Sequence, residues 1–383
     1  MRKIFQSVLM LFMAIGIMSL YSSCTKDDEN GGEPRVKYIR ITDPESADSL
    51  LVGAGQGNLV AIIGENLGNA REIWFNDQKA YLATTYITNT SILVSVPSQI
   101  PVDVSNKLKI VFSNGKTLLH DFKTLISEPT ISRMLNEYTL TGDVAVIKGN
   151  YFYAPLTVTF TGGVQGEVVA IDDQEVQVRV PVGAQPGQIT IKTNFGETKS
   201  DFWFRDNRNI FLSSDPYTGW WNESFVVKTP GAGAPLAING NYIRVNKVIG
   251  AWAWTEAAGG PPDAMGAISK NIPDEAILKP ENYYFKFEVN TQKPYNNNVI
   301  KFNLGLANDF NNDSYKWNPP IDTKGAWQTI QIPFEEIAKS YGTAPLTVSS
   351  KGYYTRILFH GGGDLDADIS FDNLRVVPKV IKK

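Results

Sequence analysis

Val146-Ile147-Lys148-Gly149-Asn150-Tyr151-Phe152 answers to Ile62-Ile63-Gly64-Glu65-Asn66-Leu67, with Gly149 standing 85 residues after Gly64. Three further blocks repeat in the same order. Ile73-Trp74-Phe75-Asn76 pairs with Val158-Thr159-Phe160-Thr161, and Ile92-Leu93-Val94-Ser95-Val96-Pro97 with Val176-Gln177-Val178-Arg179-Val180-Pro181. Leu108-Lys109-Ile110-Val111-Phe112-Ser113-Asn114-Gly115 pairs with Ile189-Thr190-Ile191-Lys192-Thr193-Asn194-Phe195-Gly196. The spacing between Pro97 and Pro181 is 84, so the period is nearly constant and fits one small sandwich per copy. Runs rich in Val, Ile, Thr and aromatics alternate with Gly, Asn, Asp and Pro, which is the pattern of short strands joined by turns. From Val36 to about Arg208 nothing reads as an amphipathic helix, so this region is all-β.

Beyond Arg208 the repeat stops and the aromatics concentrate: six of the eight tryptophans fall there. Strand-like runs continue at 283–289, 300–304, 327–332, 354–359 and 369–376, and only 334–340 reads as a helical turn. About 175 residues of mostly strand predict a jelly roll of two packed antiparallel sheets. Within it, Gly250-Ala251-Trp252-Ala253-Trp254-Thr255-Glu256 reads as a strand. Alternation then puts Trp252 and Trp254 on one face and the two alanines on the other. Paired indoles make a flat apolar surface with N–H donors at its edge, suited to stacking on a sugar ring; filling a sandwich core is the competing use.

Trp317 and Tyr315 lie in the polar run Asn311-Asn312-Asp313-Ser314-Tyr315-Lys316-Trp317-Asn318, where an indole has little reason to be buried, so ligand contact is expected. In Tyr217-Thr218-Gly219-Trp220-Trp221-Asn222 the two adjacent tryptophans face opposite ways on a strand, and Trp220 joins the candidates. Glu256, Asn222 and Arg356 are candidate partners for sugar hydroxyls. Trp327 alternates with Thr329 and Gln331 and reads as core, as do Trp74 and Trp203.

Charge is nearly balanced, 36 Lys+Arg against 39 Asp+Glu, which leaves no basic footprint for nucleic acid. A single cysteine, Cys24, and two histidines, His120 and His360, exclude a disulfide framework, a thiol-rich metal site and a Cys–His nucleophile. At the N-terminus Arg2 and Lys3 precede an apolar run from Ile4 to Leu20, then small residues and Cys24. That order describes a secretion signal; the run is only just long enough to span a bilayer.

Ser22-Ser23-Cys24 resembles the lipobox of bacterial lipoproteins, with Tyr21 in place of the usual leucine, and implies lipidation of Cys24. Thr25-Lys26-Asp27-Asp28-Glu29 resembles the acidic signal that sends Bacteroidetes lipoproteins to the cell surface, and Asn30-Gly31-Gly32-Glu33-Pro34 reads as a flexible tether. The repeats resemble the immunoglobulin-like IPT/TIG domain, mostly a spacer in secreted proteins. Tyr284-Phe285-Lys286-Phe287-Glu288-Val289-Asn290, Gly325-Ala326-Trp327-Gln328-Thr329-Ile330-Gln331-Ile332-Pro333-Phe334 and Phe371-Asp372-Asn373-Leu374-Arg375-Val376 resemble carbohydrate-binding-module jelly rolls. The whole order is similar to that of the SGBP-B-like surface glycan-binding proteins of Bacteroidetes polysaccharide-utilization loci, of the xyloglucan-binding type.

The resemblance implies a signal peptide at 1–23, a tether at 24–35, IPT/TIG domains at 36–125 and 126–206, and a glycan-binding jelly roll at 207–383. It implies a monomer anchored by lipid in the outer membrane beside a glycan transporter, holding a β-1,4-linked polysaccharide such as xyloglucan or mannan. Asp372 resembles an aspartate that helps hold a structural calcium in such jelly rolls; otherwise no cofactor is expected.

Enzyme signatures are missing from the pattern. His360-Gly361-Gly362-Gly363 resembles a hydrolase oxyanion loop but has no Gly-x-Ser-x-Gly elbow beside it. A glycosidase needs two carboxylates flanking the scissile bond, and no Glu-x-Asp-x-x-Glu run occurs; Glu335 and Glu336 diverge as neighbours. Two other readings stand beside the non-catalytic binder: an adhesion protein whose tip binds another protein, and a cryptic glycoside hydrolase with carboxylates brought together by the fold.

Overall fold

The computed structural model describes residues 32–46, 48–217, 223–307, 314–340 and 346–379, and the chain divides into two compact units at Ile126/Ser127. The first unit is a sandwich. One sheet joins Arg35–Ile41, Leu59–Glu65 and Ser91–Ser95; the other joins Gln78–Lys79, Ala70–Phe75, Lys107–Phe112 and Thr117–Asp121. In Lys107–Phe112 the residues Leu108, Ile110 and Phe112 are buried and Lys107, Lys109 and Val111 are half-exposed, so a strict period of two turns one face to the core. Trp74 does not join that core as expected. It lies half-buried on the outer face with Lys109 4.7 Å over its ring, and its indole N–H donates to Glu72 at 2.9 Å.

The second unit opens with the other copy of the sandwich, a sheet path running Thr130–Met134, Val144–Asn150, Glu175–Arg179, Val164–Ile171, Leu156–Thr161, Gln185–Thr193 and Gly196–Lys199. The repeated glycine has a common cause in both copies. A Cβ at Gly64 would sit 2.1 Å from the Arg35 carbonyl oxygen, and one at Gly149 would sit 1.9 Å from that of Thr130. Only glycine permits so close a backbone approach. Trp203 is also half-buried rather than core, capped by the Arg208 guanidinium at 3.7 Å.

A jelly roll follows in the same unit. Its larger sheet orders Val226–Val227, Tyr242–Ile249, Leu365–Pro378, Tyr283–Thr291 and Gln328–Pro333, with Ile210–Leu212 also on Leu365–Pro378. Its smaller sheet orders Thr255–Gly260, Tyr354–Phe359, Ile300–Gly305 and Tyr315–Trp317. Between them lies an aromatic core in which Phe287 contacts Phe302 at 5.0 Å and Trp317 at 5.4 Å. Besides the expected turn at Phe334–Lys339, short helical pieces occur at Pro262–Met265, Gly266–Lys270 and Asp274–Leu278, too brief to show a period of 3.6. Trp327 is buried, its N–H donating to the Leu236 carbonyl at 2.8 Å.

The second sandwich and the jelly roll meet over a buried charge network. Glu137 of the sandwich accepts from Lys286 at 2.6 Å and from Arg375 at 2.7 Å, and Arg375 also forks onto Glu288 at 2.9 and 3.0 Å. Burial works against the charge on Arg375, but Glu288 and Glu137 outweigh it and raise its pKa further. Thr329 N–H donates to the Leu135 carbonyl at 2.7 Å, while the Glu137 N–H donates to the Thr329 hydroxyl at 2.8 Å. Both bodies therefore share one polar interior.

Candidate functional site

Gly250 to Trp254 is a turn, and the strand begins only at Thr255. This corrects the expected strand and supplies a different reason for the two indoles to be neighbours. Trp252 has φ 60, the left-handed region that a bulky L-residue avoids. Three bonds hold it there: the Ala251 N–H donates to Asp364 Oδ1 at 2.7 Å, the Trp252 N–H to the Gly361 carbonyl at 2.7 Å, and the Ala253 N–H to the Gly250 carbonyl at 3.0 Å. Both indoles lean on one imidazole, with ring centroids of Trp252 and Trp254 at 5.6 and 5.3 Å from that of His360. Trp252 keeps 66% of its surface exposed and Trp254 49%.

The tri-glycine that resembled an oxyanion loop is the floor of this platform. A Cβ on Gly362 would lie 3.3 Å from the Trp252 ring, and one on Gly361 would meet Val299 at 2.6 Å. Asn298 ties the same floor down, its side-chain amide donating to the Gly363 carbonyl at 2.9 Å, and Asn297 donates to the Asp364 carbonyl at 2.9 Å. His360, Gly362, Asp364, Asn297 and Asn298 thus build the site without having been singled out for it. The signal was available: three consecutive glycines next to a strand leave room for a ring above the backbone.

Trp317 is not exposed. Its strand pairs Trp317 with Ile300, on the inner face, so the indole is buried and stacks on Tyr295 at 5.6 Å and 13°. Tyr315 is half-buried at the edge of the same core, and its hydroxyl donates to Glu336 at 3.2 Å. Burial and that carboxylate raise its pKa. Glu256 and Arg356 are buried too and form an ion pair with each other, so neither extends into solvent for a hydroxyl. Ile357 and Phe359 point into the core, which turns Arg356 to the opposite face of the sheet. Burial lowers the Arg356 pKa to about 10. Trp220, Asn222 and Cys24 lie outside the described residues.

Asp372 is buried in the larger sheet. One of its oxygens accepts the Asn373 N–H at 2.8 Å, and Oδ2 has no hydrogen-bond partner among the described residues. It lines a cleft with Asp215, Asn207 and Asn239. Two carboxylates and amide oxygens are donors of the kind calcium takes, although no group of three or more His, Cys, Asp or Glu side chains gathers for a metal among the described residues.

An exposed aromatic pair on a jelly roll that follows immunoglobulin-like sandwiches is the arrangement that a carbohydrate-binding module would present. Residues 204–378 match the family model of the surface glycan-binding protein B xyloglucan binding domain, and this region belongs to that family. In that region the chain is similar to surface glycan-binding proteins of the B type. A surface glycan-binding protein of Prevotella bryantii, PbSGBP-B, shares the fold at a TM-score of 0.65 and 23% identity, over 91% of this chain and 99% of that one. An SGBP-B from a complex xyloglucan utilization locus in Bacteroides uniformis aligns at a TM-score of 0.48 and 15% identity, over 91% of this chain and all of its own. An IPT/TIG domain-containing protein of Bacteroides ovatus is 30% identical over 137 residues, which is 34% of this chain and 28% of that protein. The chain thus matches little more than a quarter of that curated relative's length.

Proposed function

We propose that this protein is a non-catalytic surface binder that captures an extended β-1,4-linked glycan of the xyloglucan class by stacking it on Trp252 and Trp254. The observation that carries the reading is Trp252 itself, a large apolar ring held exposed by a backbone conformation unfavourable to it. Strain of that kind persists only where the surroundings enforce it, and it gathers at ligand sites. Extended β-1,4 chains present flat faces that match a pair of adjacent indoles. A lipidated Cys24 would hold the chain in the outer membrane, as a monomer next to a glycan transporter, with the sandwiches as spacers. Affinity electrophoresis through gels cast with plant polysaccharides tests the capture. Retardation by one β-glycan class, abolished in Trp252→Ala and Trp254→Ala, is the expected result; no retardation by any glycan refutes it and favours the adhesion reading.

The bare Oδ2 of Asp372 favours a second, structural proposal, a calcium ion held by Asp372 and Asp215. A melting temperature that falls in chelator and recovers with calcium supports it. An unchanged one means the carboxyl is kept neutral by burial.

A further inference from the structure

The duplicated sandwich provides its own control. Gly64 and Gly149 occupy one structural position, facing Val36 and Ile131 in the two registers, and Leu67 and Phe152 fill the same buried slot three residues on. Between them stand Asn66 in the first copy and Tyr151 in the second, both left-handed at φ 57 and 62. Asparagine tolerates that conformation; tyrosine does not. Two more positions in the same corner change together. Gly68 becomes Tyr153, and Asn114 in the hairpin turn becomes Phe195. The three rings form a run, Tyr151 to Tyr153 at 6.3 Å and Tyr153 to Phe195 at 5.9 Å. Tyr151 is exposed and the other two are half-buried. The first copy builds the corner without any of them, so the fold does not require them.

We infer that Tyr151, Tyr153 and Phe195 form a second sugar platform, on the second sandwich, which takes a pyranose ring of the glycan held by the jelly roll. The inference rests on the glycan reading above. Among the described residues the aromatic ones with a left-handed backbone are Trp252 and Tyr151, so the two patches use one device. Polar acceptors flank the rings as sugar hydroxyls require. The Asp173 carboxylate reaches the Tyr153 hydroxyl, and the Glu128 side chain packs on Gly196 beside Phe195. The patch lies at the end of the sandwich where Thr130–Met134 begins, whereas the jelly roll is met beyond Met134, at Leu135 and Glu137. Five strand residues separate those ends by about 17 Å. A ligand that touches both patches must pass from the jelly roll over that junction and along this strand, which a polysaccharide can do, whereas an oligosaccharide seated on the tryptophans reads their site alone.

Tyr151→Asn and Phe195→Asn restore the first copy's residues and should fold. Calorimetric titration of the protein with xyloglucan polysaccharide and with a short xyloglucan oligosaccharide reads the effect. The double variant is expected to bind polysaccharide about fivefold more weakly, the low end for one lost stacked ring, with oligosaccharide affinity unchanged and one cooperative unfolding transition retained. Unchanged polysaccharide affinity, while Trp252→Ala weakens it, overturns the second platform and leaves the first standing. Failure of the unaltered protein to bind either ligand overturns both.

Discussion

Replacing Trp252 by glycine separates binding from folding, because the structure predicts that the two respond very differently. Relief of the left-handed strain returns about 1–2 kcal/mol. The indole is 66% exposed, so only about a third of its roughly 150–250 Å² is covered, and losing that contact costs roughly 1–2 kcal/mol. Glycine adds about 0.5–1 kcal/mol of chain entropy to be lost on folding. The sum is a change close to 1 kcal/mol, detectable by denaturant titration but far from unfolding the domain. Against this, losing one stacked ring should weaken glycan binding by about 1–3 kcal/mol, which calorimetry reads as a drop of about fivefold to over a hundredfold. A stability loss above about 3 kcal/mol would show that the ring is structural, and undiminished affinity would remove it from the site. Either result refutes the argument from strain.

The remaining expectations concern the interior. Trp317→Ala should cost about 3–5 kcal/mol of stability, measured by denaturant unfolding, since that indole is core and not ligand surface. Glu137→Gln should cost about 3–5 kcal/mol by leaving the buried Lys286 ammonium unpaired, and adding Lys286→Met should recover most of it in the same assay. Burial, followed by the nearby Glu288 charge, raises the Asp372 pKa well above the ordinary carboxylate value. A carboxyl raised on folding adds stability below its unfolded pKa and loses it as pH rises through the folded one. In metal-free buffer stability should therefore climb as pH falls through that raised pKa, and Asp372→Asn should flatten the climb; a melting profile insensitive to the substitution sinks this account.

The repeat was legible because each strand's alternation and each bounding glycine recur at one spacing, and covalent geometry leaves few ways to fold that pattern. Trp252 and Trp254 are neighbours and exposed, but strand alternation is not the reason. A left-handed Trp252 has no signature in composition or period, so the turn read as a strand. Trp317 was misplaced because a three-residue strand, Tyr315–Trp317, is too short for polarity to reveal its inner face. Glu137, Lys286 and Arg375 look like solvated charges in any window of sequence. Only the meeting of segments more than a hundred residues apart makes them an interior.

That interior has a consequence for how the chain can be assembled. Glu137 and Arg375 are 238 residues apart, and Arg375 stands in the last strand, Leu365–Pro378. A polypeptide delivered N-terminus first must hold the Glu137 carboxylate in water until nearly all of itself has arrived. The second sandwich then stays unsealed on one side, open to proteases and to wrong partners, and closes only when the final strand enters its sheet. A truncation that removes that strand would leave Glu137 facing Lys286 alone and the sheet open along its centre. The span Ser127–Lys383 should thus mature in a single late step, and a domain cut out between the sandwich and the jelly roll would inherit one half of a lock.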